Sequence, residues 1–201
     1  MVSGMNLSEY EKRWVVTGVA LNKVLLPDLR SFVNQEVQKE YTNLVSSHSI
    51  HVQTTGSSLG KWLKVRLKYE NINCNENYKL ANGKYDYSKF DFKVGNHVDL
   101  AKLYLLPFMA KFNSFDEHCD LSAVLNLLGS VRVFPTAIQA AAKNVRDQVR
   151  NYWAHCNFTE WDAAKFQRSF KNMDNLIRKL GLASNDETKL LNELHDWNTK
   201  G

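Results

Sequence analysis

Apolar residues recur at helical spacing through most of this chain, and the gaps between those stretches divide it into elements. Ser8, with Glu11 three residues on, forms a capping-box pattern ahead of Val15, Val16, Val19, Ala20 and Leu21. Pro27-Asp28 then marks either a break or a fresh first turn before Leu29, Phe32, Val33, Val37, Tyr41, Leu44 and Val45, so a second long helix or a kinked continuation follows. Leu100, Ala101, Leu103, Tyr104, Leu105, Phe108, Met109 and Phe112 predict a third apolar helix, started near Asn96 and Asp99 and kinked at Pro107. Asp120 is placed to cap a short helix through Leu128 that Gly129 would end. Pro135 and Thr136 open the best-marked helix, running to about Asn157, with Ile138, Ala142, Val145, Val149, Tyr152 and Cys156 as its core stripe. Two more capping-box patterns, Thr159 with Asp162 and Ser184 with Glu187, predict the last helices; one carries Trp161, Phe166, Phe170, Met173, Ile177 and Leu180 up to Gly181, the other Leu190, Leu191, Leu194 and Trp197.

Around residues 48–98 the helical period fades and Gly, Ser, Asn and Thr become frequent. There Leu63, Val65, Leu67 and Tyr69 alternate with Lys64, Arg66 and Lys68, the pattern of a strand with apolar side chains on one face and cations on the other. Asn82-Gly83 is a turn signal, and Tyr85, Tyr87, Phe90 and Phe92 could supply a partner strand. The expectation is an all-α bundle with an irregular insert, a candidate β-hairpin, in this stretch.

At 201 residues one core suffices, so a single domain over 1–201 is expected. With 44% hydrophobic and 23% charged residues, wholesale disorder is set aside. No apolar run approaches the roughly 18 residues of a membrane span, and the first residues lack a basic start and an apolar stretch, so neither membrane insertion nor secretion is expected. Three scattered cysteines, Cys74, Cys119 and Cys156, suit a reducing compartment, which points to the cytoplasm. The net charge is +5; residues 61–98 hold eight Lys or Arg against four Asp or Glu, so most of the excess lies in the insert. Such a bias is compatible with an anionic partner.

The segment that carries chemistry is Arg150-Asn151-Tyr152-Trp153-Ala154-His155, late in the Pro135 helix. It resembles the R-X4-6-H motif of the HEPN superfamily, with a four-residue spacer and Asn151 as the polar residue directly after the arginine. Over about 99–182 the context is similar to the HEPN domain of the DAZ-interacting zinc-finger ubiquitin ligases and of many animal multidomain proteins. The resemblance implies a compact helical bundle that cleaves or binds single-stranded RNA without metal or cofactor, with its site assembled at a homodimer interface. It assigns Arg150 and His155, supported by Asn151, to catalysis. The competing expectation is a catalytically silent dimerisation or adaptor domain of a larger signalling or immune protein.

Helical geometry restricts how these residues can meet. At about 100° per residue, Asn151 and His155 share a face one turn apart, whereas Arg150 lies roughly 140° around from His155. Lys143, Arg146 and Arg150 fall on one flank of the stripe, with Asp147, Asn151 and His155 on the back and opposite flank. A compact site therefore needs a distorted helix end, a long reach by Arg150, or a second copy of the helix. An imidazole, titrating ordinarily near about 6.5, could then exchange a proton with a ribose 2′-hydroxyl or a departing 5′-oxygen, while a guanidinium neutralises the phosphate. The plainer alternative is a His that only stabilises a helix end and an arginine paired to Asp147.

Lys143 and Arg146 on the flank, and Lys64, Arg66 and Lys68 in the insert, are the candidate RNA contacts, the latter three interleaved with Trp62 and Tyr69 for base stacking. The plainer reading of those three is a solvated strand face whose apolar side covers the bundle, because aromatics at alternating spacing usually pack inward. His118-Cys119 and His155-Cys156 could in principle make a zinc site, but adjacent residues on a helix point about 100° apart and chelate poorly, so no metal is expected.

Overall fold

The computed structural model describes residues 7–73, 75 and 78–201, and these are mostly helical. In chain order the α-helices are α1 (Glu9–Val19), α2 (Leu26–His48), α3 (Ser57–Leu63), α4 (His97–Lys102), α5 (Leu121–Ser130), α6 (Thr136–Val145), α7 (Asn151–Ala154), α8 (Ala163–Leu180) and α9 (Ser184–Asn198). No strand is present among the described residues; their one isolated bridge joins Lys79 to Tyr85. None of their helices is long and apolar enough to cross a membrane. The fold class is therefore all-α.

The chain forms two compact units: the described residues up to Leu29 together with Thr136–Gly201, and the continuous stretch Arg30–Pro135. The boundary at 135/136 falls inside the 99–182 region of the resemblance and leaves the motif in the first unit.

The first unit is a bundle whose helix ends are set by side chains the sequence displays. Ser8 caps α1 by the expected reciprocal pair: its hydroxyl accepts from the Glu11 N–H at 3.3 Å, and the Glu11 carboxylate accepts from the Ser8 N–H at 2.8 Å. A π-helical segment, Ala20–Leu25, then joins α1 to α2 without a break. Pro27 has no N–H to give the ladder, and the widened turn before it makes room for its ring. Asp162, rather than Thr159, caps α8, its carboxylate accepting from the Lys165 N–H at 2.7 Å; Thr159 sits in a 3-10 turn, Phe158–Glu160. Ser184 is already helical and the cap falls on Ala183, with no side-chain bond. Gly181 ends α8 with φ of 67°, a left-handed position that suits glycine. Helix α8 packs on α1, α6 and α9; Phe166, Phe170, Met173, Leu176 and Ile177 bury its apolar face, and Trp161 is buried just ahead of it.

In the second unit α5 is capped by Asp120, as expected, but runs through Gly129, and nearly all of it is buried. The predicted third helix stops early. Asn96 caps α4 by accepting from Asp99 N–H at 2.8 Å, yet α4 ends at Lys102 and Pro107 lies in a run of turns. The predicted strand at 63–69 is absent: Leu63 closes α3, Lys64 turns left-handed with φ of 55°, Leu67 buries itself from irregular backbone, and Tyr69 does so from the start of a 3-10 turn, Tyr69–Asn71. The Asn82-Gly83 turn does form, with Gly83 at φ of 77° and flanking bonds Leu80 N–H to Lys84 O at 2.7 Å and Asp86 N–H to Tyr78 O at 2.9 Å. Asparagine side chains hold the rest together. Asn71 donates to the carbonyls of Lys102 and Leu105 at 2.8 and 2.9 Å, and Asn75 donates to those of Tyr69 and Asp91 at 2.8 and 2.9 Å.

Candidate functional site

The motif sits where the Pro135 helix changes its winding. After α6 the chain passes through a π-helical segment, Arg146–Arg150, closed by a bond from the Asn151 N–H to the Arg146 carbonyl, and continues as α7. One extra residue in that turn slips the inward face by one position. Ile138, Ala142, Val145 and Val149 are buried as expected, but the next inward residue is Trp153, four on, instead of Tyr152. Tyr152 is left 39% exposed, and Cys156, expected in the core, is exposed with φ of 53° beyond the helix end.

Trp153 anchors the motif to α1. Its ring stacks on Trp14 at 5.5 Å, and its carbonyl accepts from the Trp14 indole N–H at 2.8 Å. Phe158 meets Trp14 edge-on at 5.1 Å. Gly18 is what lets the ring in, because a Cβ there would lie 2.5 Å from the Trp153 indole nitrogen. The indole N–H of Trp153 itself is buried without a partner among the described residues.

Arg150 and Asn151 are joined: the guanidinium donates to the Asn151 side-chain oxygen at 3.2 Å, and both are half-buried. His155 follows the last residue of α7 and its ring is exposed. No hydrogen bond links it to Arg150 among the described residues. The widened turn ends at Arg150, so the backbone from there to His155 is α-helical and leaves their angular separation uncorrected. Within one copy, therefore, the pair is not brought together. Of the flank, Lys143 is exposed, and Arg146 donates to Asp147 at 2.8 Å, which holds that carboxyl below its usual range.

The remaining candidates lie in the second unit. Lys64 and Arg66 are exposed and Lys68 is half-buried; Arg66 donates to the Tyr87 hydroxyl at 3.4 Å. Trp62 is engaged on its ring by Arg132 at 5.1 Å and by His48 at 4.5 Å. Without a strand, the three cations do not form the even row that alternation promised. Cys119 is buried and its thiol is pushed up to about 12 by that burial. No group of three or more His, Cys, Asp or Glu side chains suited to a metal occurs among the described residues, and Cys74 lies outside them.

A further feature escaped the sequence reading. A cleft of about 540 Å³ runs along the motif-bearing helix and α8, lined by Asn144, Gln148, Tyr152, Lys165, Arg168 and Lys171 among others. Its cations are spaced three apart on the polar face of α8, a signal easily taken for solvated surface. Comparison of the chain with protein-family models, with curated proteins and with solved structures finds no match.

Proposed function

We propose that this protein is a HEPN-like module that binds single-stranded RNA and cleaves it as a homodimer, with Arg150 and His155 as the reacting pair and Asn151 bracing the arginine. The observation that carries the reading is the half-site itself: an exposed imidazole at a helix end, and a guanidinium steadied by its neighbour, held apart on one helix. A two-fold axis would supply each His155 with the Arg150 of the other copy. In the reaction the ribose 2′-oxygen bonds to phosphorus and the P–O5′ bond breaks. The 2′-hydroxyl proton passes to an imidazole, and a proton is delivered to the departing 5′-oxygen. Arg150 offsets the charge that builds on the phosphoryl oxygens. The products carry 2′,3′-cyclic phosphate and 5′-hydroxyl ends, and DNA is inert.

Mixing two dead variants tests the shared site. Arg150→Ala and His155→Ala should each abolish cleavage of single-stranded RNA while leaving helicity and mass unchanged. Combined in equal amounts, they should recover about a quarter of wild-type activity, because half the dimers then carry one intact site of two. A wild-type protein that dimerises but cuts no RNA at any concentration would leave the adaptor reading in its place.

A further inference from the structure

We propose that the cleft between the motif-bearing helix and α8 is the track for the RNA strand, with Arg168 and Lys171 gripping its phosphates and Tyr152 leading it to the reacting pair; this rests on the RNA-cleaving reading above.

The cleft is built by two helices whose residues pair in reverse order. Asn144 donates to the Asn172 side-chain oxygen at 3.1 Å at one end, and the Lys165 ammonium lies 3.3 Å from the centre of the Tyr152 ring at the other. Between them lie Gln148, Arg168 and Ser169, the serine hydroxyl turned back to the Lys165 carbonyl at 2.9 Å. The volume of about 540 Å³ falls in the range of roughly 300–1,000 Å³ typical of ligand sites.

Charge separates this cleft from ordinary helix surface. Among the described residues three cations and three side-chain amides line it, with no carboxylate. Elsewhere in the same unit the arginines Arg178 and Arg146 are neutralised by Asp174 and Asp147 at 2.7 and 2.8 Å. Lys165 is committed too, to Glu160 at 3.3 Å and to the Tyr152 ring. Arg168 and Lys171 have no ion pair among the described residues, so two full charges face the cleft uncompensated. Lys165, Arg168 and Lys171 span about 9 Å of helix, at about 1.5 Å per residue. That length exceeds one phosphate and suits a chain of them. Amides beside the cations can donate to phosphoryl oxygens or base edges, as single-strand recognition uses them.

The cleft also reaches the chemistry. Tyr152 lies within the hexapeptide, two residues after Arg150 and three before His155. It faces α8 only because the π-helical turn handed the inward position to Trp153. A strand passing Tyr152 is thus within roughly 5 Å of axis and about 60° of turn of His155, whereas Arg150, about 160° around the helix, is supplied to that imidazole by the other copy.

The test is binding of a fluorescently labelled, 2′-deoxy-blocked single-stranded RNA to the dimer, followed by anisotropy across a salt series. Arg168→Glu/Lys171→Glu should weaken binding at least tenfold and lower the slope of log K against log salt by about 1.4, since single strands give about 0.7 per phosphate contact. Lys12→Glu/Lys179→Glu, the same charge change on exposed positions outside the cleft, should move affinity less than threefold. Equal losses in the two pairs, or no loss in the first, would overturn the proposal. The underlying reading fails separately: RNA bound through Arg168 and Lys171 but never cut leaves the track intact and removes the nuclease. Cleavage that needs Arg150 and His155 yet ignores the cleft variants does the reverse.

Discussion

In the unit formed by the described residues up to Leu29 and by Thr136–Gly201, helices bury continuous apolar stripes, and beyond the caps side chains such as Trp14 and Ser169 only supplement a backbone that pairs within its own helices; Trp161, Phe166 and Met173 lie almost wholly out of water. Between Arg30 and Pro135 the polypeptide spends long stretches outside any regular ladder, and side chains take over the satisfaction of its carbonyls. Arg30 donates to the Cys119 and Glu117 carbonyls at 2.6 and 3.1 Å, Gln53 to that of Phe92 at 2.7 Å, and Asn71 to two carbonyls at once. The contrast shows two ways to meet one requirement, since a buried carbonyl must be paired whether or not a helix supplies the partner. In the first unit stability lies chiefly in bulk; in the second it leans on specific amides.

Truncating bulk should have the largest effect. Trp161→Ala removes a fully buried indole and should cost about 3–5 kcal/mol, read as lost amide-exchange protection across 136–201. Undiminished protection there would mean that the bundle does not depend on its stripe. Removing an amide comes next. Asn71→Ala strands the Lys102 and Leu105 carbonyls and should cost about 1–3 kcal/mol, with exchange rising in the surrounding turns. Asn71→Asp should be at least as harmful at neutral pH, because a carboxylate has no donor to offer. If the aspartate variant matched wild type, the amide would be filling space and nothing more.

The smallest effect sharpens the comparison from the electrostatic side. Asp28, near the start of α2, has its carboxyl pushed above the usual range, first by desolvation and further by Glu193 and Asp186, against the opposing pull of Lys189. A carboxyl raised in the folded state favours the protonated form, so its ionisation weakens the fold as pH climbs through the ordinary value to the raised one. Asp28→Asn should therefore move the urea midpoint slightly upward near pH 7 and leave it unchanged below about pH 3. A gain that persisted in acid would need another cause.

The first unit was far more legible than the second, and the reason is periodicity. A stripe at helical spacing, such as Phe166, Phe170, Met173 and Ile177, announces both the element and its buried face, and local signals such as Ser8 and Gly181 announce helix ends. Alternation over only seven residues at 63–69 did not announce a strand, because a strand also needs a partner and Lys64 had already turned the chain away. The polar clamps were invisible for a related reason: nothing local to Asn71 names the carbonyls some thirty residues on that it will serve. Of the candidate site, residue types and spacing were readable, and so was the difficulty that Arg150 and His155 diverge. Which aromatic of the hexapeptide turns inward was not, since that depends on a change of winding four residues earlier that no single side chain signals.

That change of winding makes the outer face of the hexapeptide depend on the length of the turn before it. Deleting one residue from 146–149 would rewind the turn and rotate everything downstream by about 100°. Tyr152 would go under α1, Trp153 would swing out to water, and the Arg150-His155 pair would travel to new neighbours with its letters unchanged. A spacing rule written only between the arginine and the histidine is therefore incomplete, because where the pair points is decided by the turn that leads into its first letter.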